Sequence, residues 1–348
     1  MLIERIEAKW IELFAGVFRD CAMRPGDAVA ILAESQSRPI LIELADLAAQ
    51  RIEARPFRLI VPTPRLSTTV PVRSTGASDA LQQLGPVIAA LKSSSFIVDL
   101  TVEGLLHAVE LPDILAGGAR VLMISNEHPE ILERTRPDPA LEPKVRYGMR
   151  RLKSASVMRV TSAAGTDLTA RLEGAFRAGS SGAATEPGTI AHWPGGLCLA
   201  FPAAHCVEGV VVLAPGDINL TFKTYVREPV TLRIEDDHVV AIEGDGLDAD
   251  LFRSYLSAFG DRESYAVSHV GFGMNRHARW DYLELYDKAA INGTEARAFA
   301  GNFLFSTGAN ENAGRYTAGH FDLPMRNCTV ALDGQVVVDA GALQGDLA

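Results

Sequence analysis

The chain is poor in the features that would assign it to several common classes. Its four cysteines (Cys21, Cys198, Cys206 and Cys328) form no C-x-x-C pair and no zinc spacing, which excludes a disulfide framework and a structural zinc site. A reducing, cytoplasmic setting is the simplest expectation. Positive charge is not in excess. The net charge of -10 argues against a nucleic-acid surface. No uninterrupted apolar run is long enough to span a bilayer, so no membrane partner is expected. The start, MLIERIEAKWIELFAG, is charged from Glu4 onward and lacks the basic and apolar regions of a signal peptide. No G-x-G-x-x-G, Walker, G-x-S-x-G or H-E-x-x-H string occurs, so no nucleotide, nucleophile-elbow or zincin fingerprint is present.

What remains is a chain of 348 residues, 47% hydrophobic and 22% charged, enough for a sizeable core in one large domain or two. Apolar spacing predicts a helix over Ile3 to Phe18, and Ala28 to Leu32 reads as a short buried strand. Helices are then expected over Pro39 to Gln50, Ala80 to Lys92 and Leu111 to Ala116. Strands are expected over Arg58 to Val61, Ser95 to Leu100 and Arg120 to Ile124. Strands alternating with helices imply βαβ units and a mainly parallel sheet. The charged, proline-rich stretch Arg134 to Pro143 marks the approach to a boundary, with a helix from Arg146 to Lys153.

Beyond it the texture is antiparallel. Val157 to Thr161, Asp167 to Leu172, Gly209 to Leu213, Val230 to Ile234 and Val239 to Glu243 read as a meander, with Asp236-Asp237 at a hairpin tip. Asp333-Gly334 between two β-rich runs predicts a type I′ hairpin. One helix is expected over Asp248 to Phe259, and Ala178 to Gly188 is a small-residue loop with the composition of a mobile one. The expected architecture is an α/β domain with a mainly parallel sheet (1–153), followed by a mainly antiparallel β (α+β) domain (154–348).

The most informative string is Gly319-His320-Phe321-Asp322-Leu323-Pro324. In an extended segment side chains alternate, so His320 and Asp322 share a face. One further imidazole would complete a two-His, one-carboxylate set, suited to a mononuclear iron(II) with open positions. Of the eight histidines, His128, His238 and His277 sit in polar turns and read as solvated, and His205 reads as structural. His107 follows the strand ending at Leu100, where ligands collect in open α/β sheets. His192 lies between the small-residue loop and a tight turn. Spacing alone leaves both open between function and structure.

The C-terminal half resembles the thermophilic-type metalloaminopeptidases of the aminopeptidase T family. Their N-L-P-x-G-E-V-x-x-x-P stretch has its counterpart in His192 to Pro202, their E-x-G-I-G-x-N in His269 to Asn275, their G-T-x-H-x-A-x-G in Gly301 to Gly308, and their H-x-D in His320 to Asp322. The departures carry more information than the matches. The peptidases hold two metals; here the first glutamate position is Leu197, the histidine of the third stretch is Leu304, and the second glutamate position is His269. Leucine ligates no metal.

That altered pattern is similar to the 2,5-dihydroxypyridine 5,6-dioxygenase family, over essentially the whole chain. The resemblance implies Fe(II) on His269, His320 and Asp322. It implies His107 and His192 as acid–base groups in roles the sequence does not divide. It also implies dioxygen and a small aromatic N-heterocycle as substrates, with cleavage of the C5–C6 bond to give N-formylmaleamate, as in nicotinate degradation. Ser306 and Thr307, beside Leu304, are candidate partners for the ring, though ordinary strand polarity explains them as well. A homo-oligomer is the expected assembly. Two alternatives stay open: a peptidase with rearranged ligands, and a non-catalytic metal- or small-molecule-binding relative. An oxoacid-dependent oxygenase fits poorly, because H-x-D here follows the lone histidine.

Overall fold

The computed structural model describes residues 5–65, 69 and 79–348. The first two residues of the expected helix from Ile3 fall outside these. The described helix runs Ala8–Asp20.

Five parallel strands form the first sheet, in the order Arg55–Val61, Ala28–Glu34, Phe96–Asp99, Arg120–Met123, Ile190–His192. The strand Ala28–Glu34 is apolar up to its final Glu34 because both faces are covered. Val29, Ile31 and Ala33 pack with Phe14, Phe18 and Leu41 on one side. Ala30 and Leu32 pack with Leu81, Leu91 and Ile114 on the other. The helix Pro39–Arg51 opens on its proline, where a missing N–H costs nothing.

Two expected helix starts move. The helix expected from Ala80 begins at Gly85, with Pro86 in its first turn, and Gln82 and Gln83 before it turn with positive φ. Proline disfavours helical geometry in the residue before it and initiates well. The helix expected from Arg146 already begins at Leu141 and runs to Ser154, because Pro143 lies in the first turn, where it is tolerated.

The second half holds an antiparallel five-stranded sheet in the order Arg315–Met325, Phe303–Asn310, Val267–Gly273, Leu197–Phe201, Phe176–Ser180. Its inner face packs against an eight-stranded antiparallel sheet through Phe272, Phe303, Phe305, Phe321, Val211 and Val330. The helix expected at Asp248 is Leu247–Ala258. Asp333 and Gly334 both adopt positive φ, as a type I′ turn requires, and so do Asp236 and Asp237.

The segment expected as a mobile loop is partly strand, Phe176–Ser180, on the sheet edge. Its small residues serve a close approach: a Cβ on Gly195 would collide with the backbone of Gly182. From there the chain returns to the first sheet, where Ile190–His192 pairs with Arg120–Met123. The carboxyl ends of the parallel strands thereby face one surface of the five-stranded sheet. Among the described residues, no helix is long and apolar enough to cross a membrane.

Candidate metal centre

Strand alternation sorts the five-stranded sheet into two faces. Cross-strand pairing sets Ser306 opposite Asp322, Thr307 opposite Phe321 and Gly308 opposite His320. On the next strand, Gly271 pairs with both Leu304 and Leu199, and Gly273 with Leu197. Phe272, Phe303, Phe305 and Phe321 therefore go to the core, while His269, His320, Asp322, Leu197, Leu199 and Leu304 line a pocket on the opposite face. Val267–Gly273 and Arg315–Met325 both flank Phe303–Asn310, which brings His269 to His320 and Asp322 across one strand.

The potential ligand atoms of His269, His320 and Asp322 lie within 4.8 Å of one another, and all three residues are buried. His320 Nε2 is 3.3 Å and His269 Nε2 3.4 Å from Asp322 Oδ1. Two donors about 2.1 Å from one ion, at an angle near 100°, stand ~3.2 Å apart. Among the described residues, Asp322 Oδ1 has no hydrogen-bond partner. Burial lowers both imidazoles, His269 well below the ordinary histidine value, so their neutral forms present lone pairs. Two imidazoles and a carboxylate converging this closely fit a divalent cation, and the N,N,O donor set suits iron(II).

The other carboxylate oxygen is already taken. Arg297 Nε donates to Asp322 Oδ2 at 2.5 Å, and Arg297 Nη1 to Asn292 Oδ1 at 3.3 Å. Burial alone would raise the Asp322 carboxyl, but the Arg297 cation beside it holds it well below the carboxylate range. Arg297 sits on the short helix Thr294–Ala298. The start of that helix is clamped by buried Glu127, which accepts the backbone N–H groups of Asn292, Gly293 and Thr294, each at 3.1 Å. Glu127 belongs to the first half of the chain, so this clamp crosses between the sheets.

His107 and His192 both line the same pocket, with Glu103 and Met123. The loop carrying His107 is tied to the end of its strand by Asp99, which accepts the N–H groups of Thr101 and Leu105 and the Thr101 hydroxyl. Burial pushes the Asp99 carboxyl up to about 6. The His107 ring lies 4.7 Å from that of His320, centroid to centroid. His192 closes the edge strand of the parallel sheet, and its N–H donates to Ser180 Oγ at 2.9 Å. Burial, with the charges of Arg297 and His107, pushes its imidazole down to about 4.

Two expected residues stand elsewhere. Thr307 points to the core face with Phe321 and does not line the pocket, because it is one residue out of phase with Ser306. Ser306 is on the right face, but its Oγ lies 3.2 Å from His320 Nε2 and not at the pocket wall. Arg297 and Glu127 were not foreseen. Arg297 lies in Thr-Glu-Ala-Arg-Ala and Glu127 in a polar turn, and neither stretch carries a spacing signal.

A family model described as NicX, 2,5-dihydroxypyridine 5,6-dioxygenase, matches residues 9–345. The 2,5-dihydroxypyridine 5,6-dioxygenase of Pseudomonas putida KT2440 is 36% identical over 338 residues, spanning 96% of this chain and 95% of that protein. The solved structure of the 2,5-dihydroxypyridine dioxygenase from Pseudomonas putida KT2440 superposes with a TM-score of 0.92 at 34% identity, covering 98% of this chain and 99% of that one. Wild-type AmpT from Thermus thermophilus superposes with a TM-score of 0.64 at 15% identity, covering 97% and 99% of the two chains, a likeness of fold alone.

Proposed function

The chain belongs to the 2,5-dihydroxypyridine 5,6-dioxygenase family, and on that premise we propose that it opens 2,5-dihydroxypyridine between C5 and C6 with dioxygen, at one iron(II) held by His269, His320 and Asp322. The observation that carries the reading is the convergence of two buried imidazoles and a buried carboxylate on a face where Leu197 and Leu304, at ligand positions of the peptidase pattern, line the same pocket. Leucine ligates no metal, and among the described residues His269, His320 and Asp322 are the one set of three ligating side chains that converges, which speaks against a two-metal hydrolysis of peptides.

Iron(II), when bound, supplies coordination sites for the substrate 5-hydroxyl and for dioxygen and lets the ring's electrons reach oxygen. The chain's own residues do the rest. Arg297 keeps Asp322 ionised and occupies one of its oxygens, so the other is presented alone. Leu197, Leu199, Leu304 and Met123 give the pocket an apolar wall that excludes water and accepts a flat ring. His192 is a neutral imidazole at pH 7 and can accept a hydrogen bond from a ring N–H or hydroxyl. His107, which lines the same pocket, is the second group able to hold a proton. Both oxygen atoms end in N-formylmaleamate and the ring provides the electrons, so the balance requires no nicotinamide, flavin or oxoacid.

The test is oxygen uptake by protein reconstituted anaerobically with iron(II). With 2,5-dihydroxypyridine, one dioxygen should be consumed per ring lost, read as disappearance of the aromatic absorbance. Pyridines without the 5-hydroxyl should be poorer by about 10⁴-fold, because they lack the group that iron(II) would hold. Cleavage of leucyl peptides with no oxygen uptake on any hydroxypyridine would overturn the reading.

A further inference from the structure

One carboxylate outside the metal-binding face touches the pocket through an intermediary. Glu311 Oε1 lies 3.2 Å from His107 Nδ1. The two residues come from different halves of the molecule. His107 is on the loop after Phe96–Asp99, and Glu311 opens the turn Glu311–Ala313 between Phe303–Asn310 and Arg315–Met325.

Both supports are pinned. Asn310 Oδ1 accepts the Ala313 N–H at 3.3 Å, and its Nδ2 donates to the Pro202 carbonyl at 2.9 Å. Asn312 Nδ2 donates to the carbonyls of Gly174 and Phe201 at 3.1 and 3.2 Å. The His107 loop is tied down by Asp99. Two rigid platforms therefore meet at a single imidazole–carboxylate contact.

An ionised carboxylate can only accept, so the contact requires a hydrogen on Nδ1. In the neutral ring the lone pair is then on Nε2, which is buried and has no hydrogen-bond partner among the described residues. His192 differs, in that its buried Nδ1 has no hydrogen-bond partner among the described residues.

We propose that Glu311 is a positioning residue that fixes His107 in its Nδ1–H form and aims the Nε2 lone pair into the pocket, toward a substrate proton. The proposal rests on the reading of His107 as a proton-handling group. The step itself is a simple transfer: a substrate O–H or N–H bond breaks, an Nε2–H bond forms, and the positive charge gained by the ring is balanced by Glu311.

The experiment is a double-mutant cycle on the iron(II)-loaded enzyme with 2,5-dihydroxypyridine, reading kcat, KM and iron content. Glu311→Ala should lower kcat by about 10–100-fold, as loss of a partner that orients an imidazole commonly does, with KM and iron content unchanged. Glu311→Asp, which keeps the carboxylate, should recover part of the rate, whereas Glu311→Gln, which lacks the charge and can turn its NH2 to Nδ1, should not. The double variant His107→Ala/Glu311→Ala should be no slower than His107→Ala. Nitrogen-15 NMR of the full chain without metal gives a second reading, independent of turnover, in which wild-type His107 carries its hydrogen on Nδ1. An additive loss in the double variant, loss of iron in Glu311→Ala, or a hydrogen on His107 Nε2 in the wild type overturns the proposal. Wild-type turnover in His107→Ala would instead bring down the reading of His107 on which it stands.

Discussion

Asp322 divides its two oxygens between two tasks. Oδ2 is held by Arg297, and Oδ1 is left facing the two imidazoles. Removing the guanidinium would free the carboxylate to turn or to bind through both oxygens, and would strip away the charge that keeps it ionised. Arg297→Met should therefore weaken iron(II) binding by about 10–100-fold, the usual effect of losing a ligand's own partner, while the chain stays folded. Equilibrium metal titration against a competing chelator checks this; unchanged affinity would show that the pair does not tune the ligand. At this scale the sequence was partly readable. His320 and Asp322 follow from strand alternation, and Leu197 and Leu304 could be read as lost ligands because a family pattern supplied the comparison. Arg297 could not be found, since its partner lies on another strand and the contact is made only by folding. Ser306 and Thr307 looked equivalent as neighbours, yet alternation sends them to opposite faces.

Among the elements, the hairpin tip at Asp236-Asp237 shows how a turn becomes a structural anchor. Asp237 accepts the backbone N–H groups of His205, Cys206 and Val207 and pairs with the largely buried Arg315, at the start of the strand that carries His320 and Asp322. Burial would raise this carboxyl, but Arg315 and the three N–H groups outweigh it and hold the group below its ordinary value. A depressed carboxyl contributes stability that is complete above the unfolded pKa and is lost as pH falls through the folded one. Asp237→Asn should thus cost about 3 kcal/mol near neutrality, the lower end for breaking a buried pair, because Arg315 keeps a 3.4 Å contact with Glu263. The gap to the wild type should close below about pH 4. Denaturant unfolding at pH 7 and pH 3 measures both, and an equal gap at the two pH values would contradict the assignment. The turn itself was legible from Asp-Asp between two β-rich runs. Its second role was not, because both Arg315 and the accepted N–H groups are distant in sequence. The shifted starts of the helices at Gly85 and Leu141 have a local cause, proline tolerated in a first turn.

For the whole molecule, the pocket exists because two sheets of different kinds meet. The parallel sheet brings His107, Met123 and His192 from the ends of its strands, and the antiparallel sheet brings the three donors and the leucines. The clamp of Glu127 on residues 292–294 and the contact of Glu311 with His107 join the halves on either side of the site. The alternation of strand and helix anticipated the parallel sheet, and that of strand and turn anticipated strands of the eight-stranded sheet. Of the five-stranded sheet that carries the donors, only the extended segments around Ser306 and His320 were legible. The return of Ile190–His192 to the first sheet was hidden, since a three-residue strand has no periodicity to read. AmpT from Thermus thermophilus shares the fold, so fold alone does not distinguish the proposed one-iron site from the two-metal peptidase pattern, and the metal count does. The direct measurement is activity toward 2,5-dihydroxypyridine as metal-free protein is titrated anaerobically with iron(II). The account predicts a linear rise that breaks at one equivalent per chain, and no rise in His320→Ala. A break at two equivalents, or full activity in that variant, would contradict it.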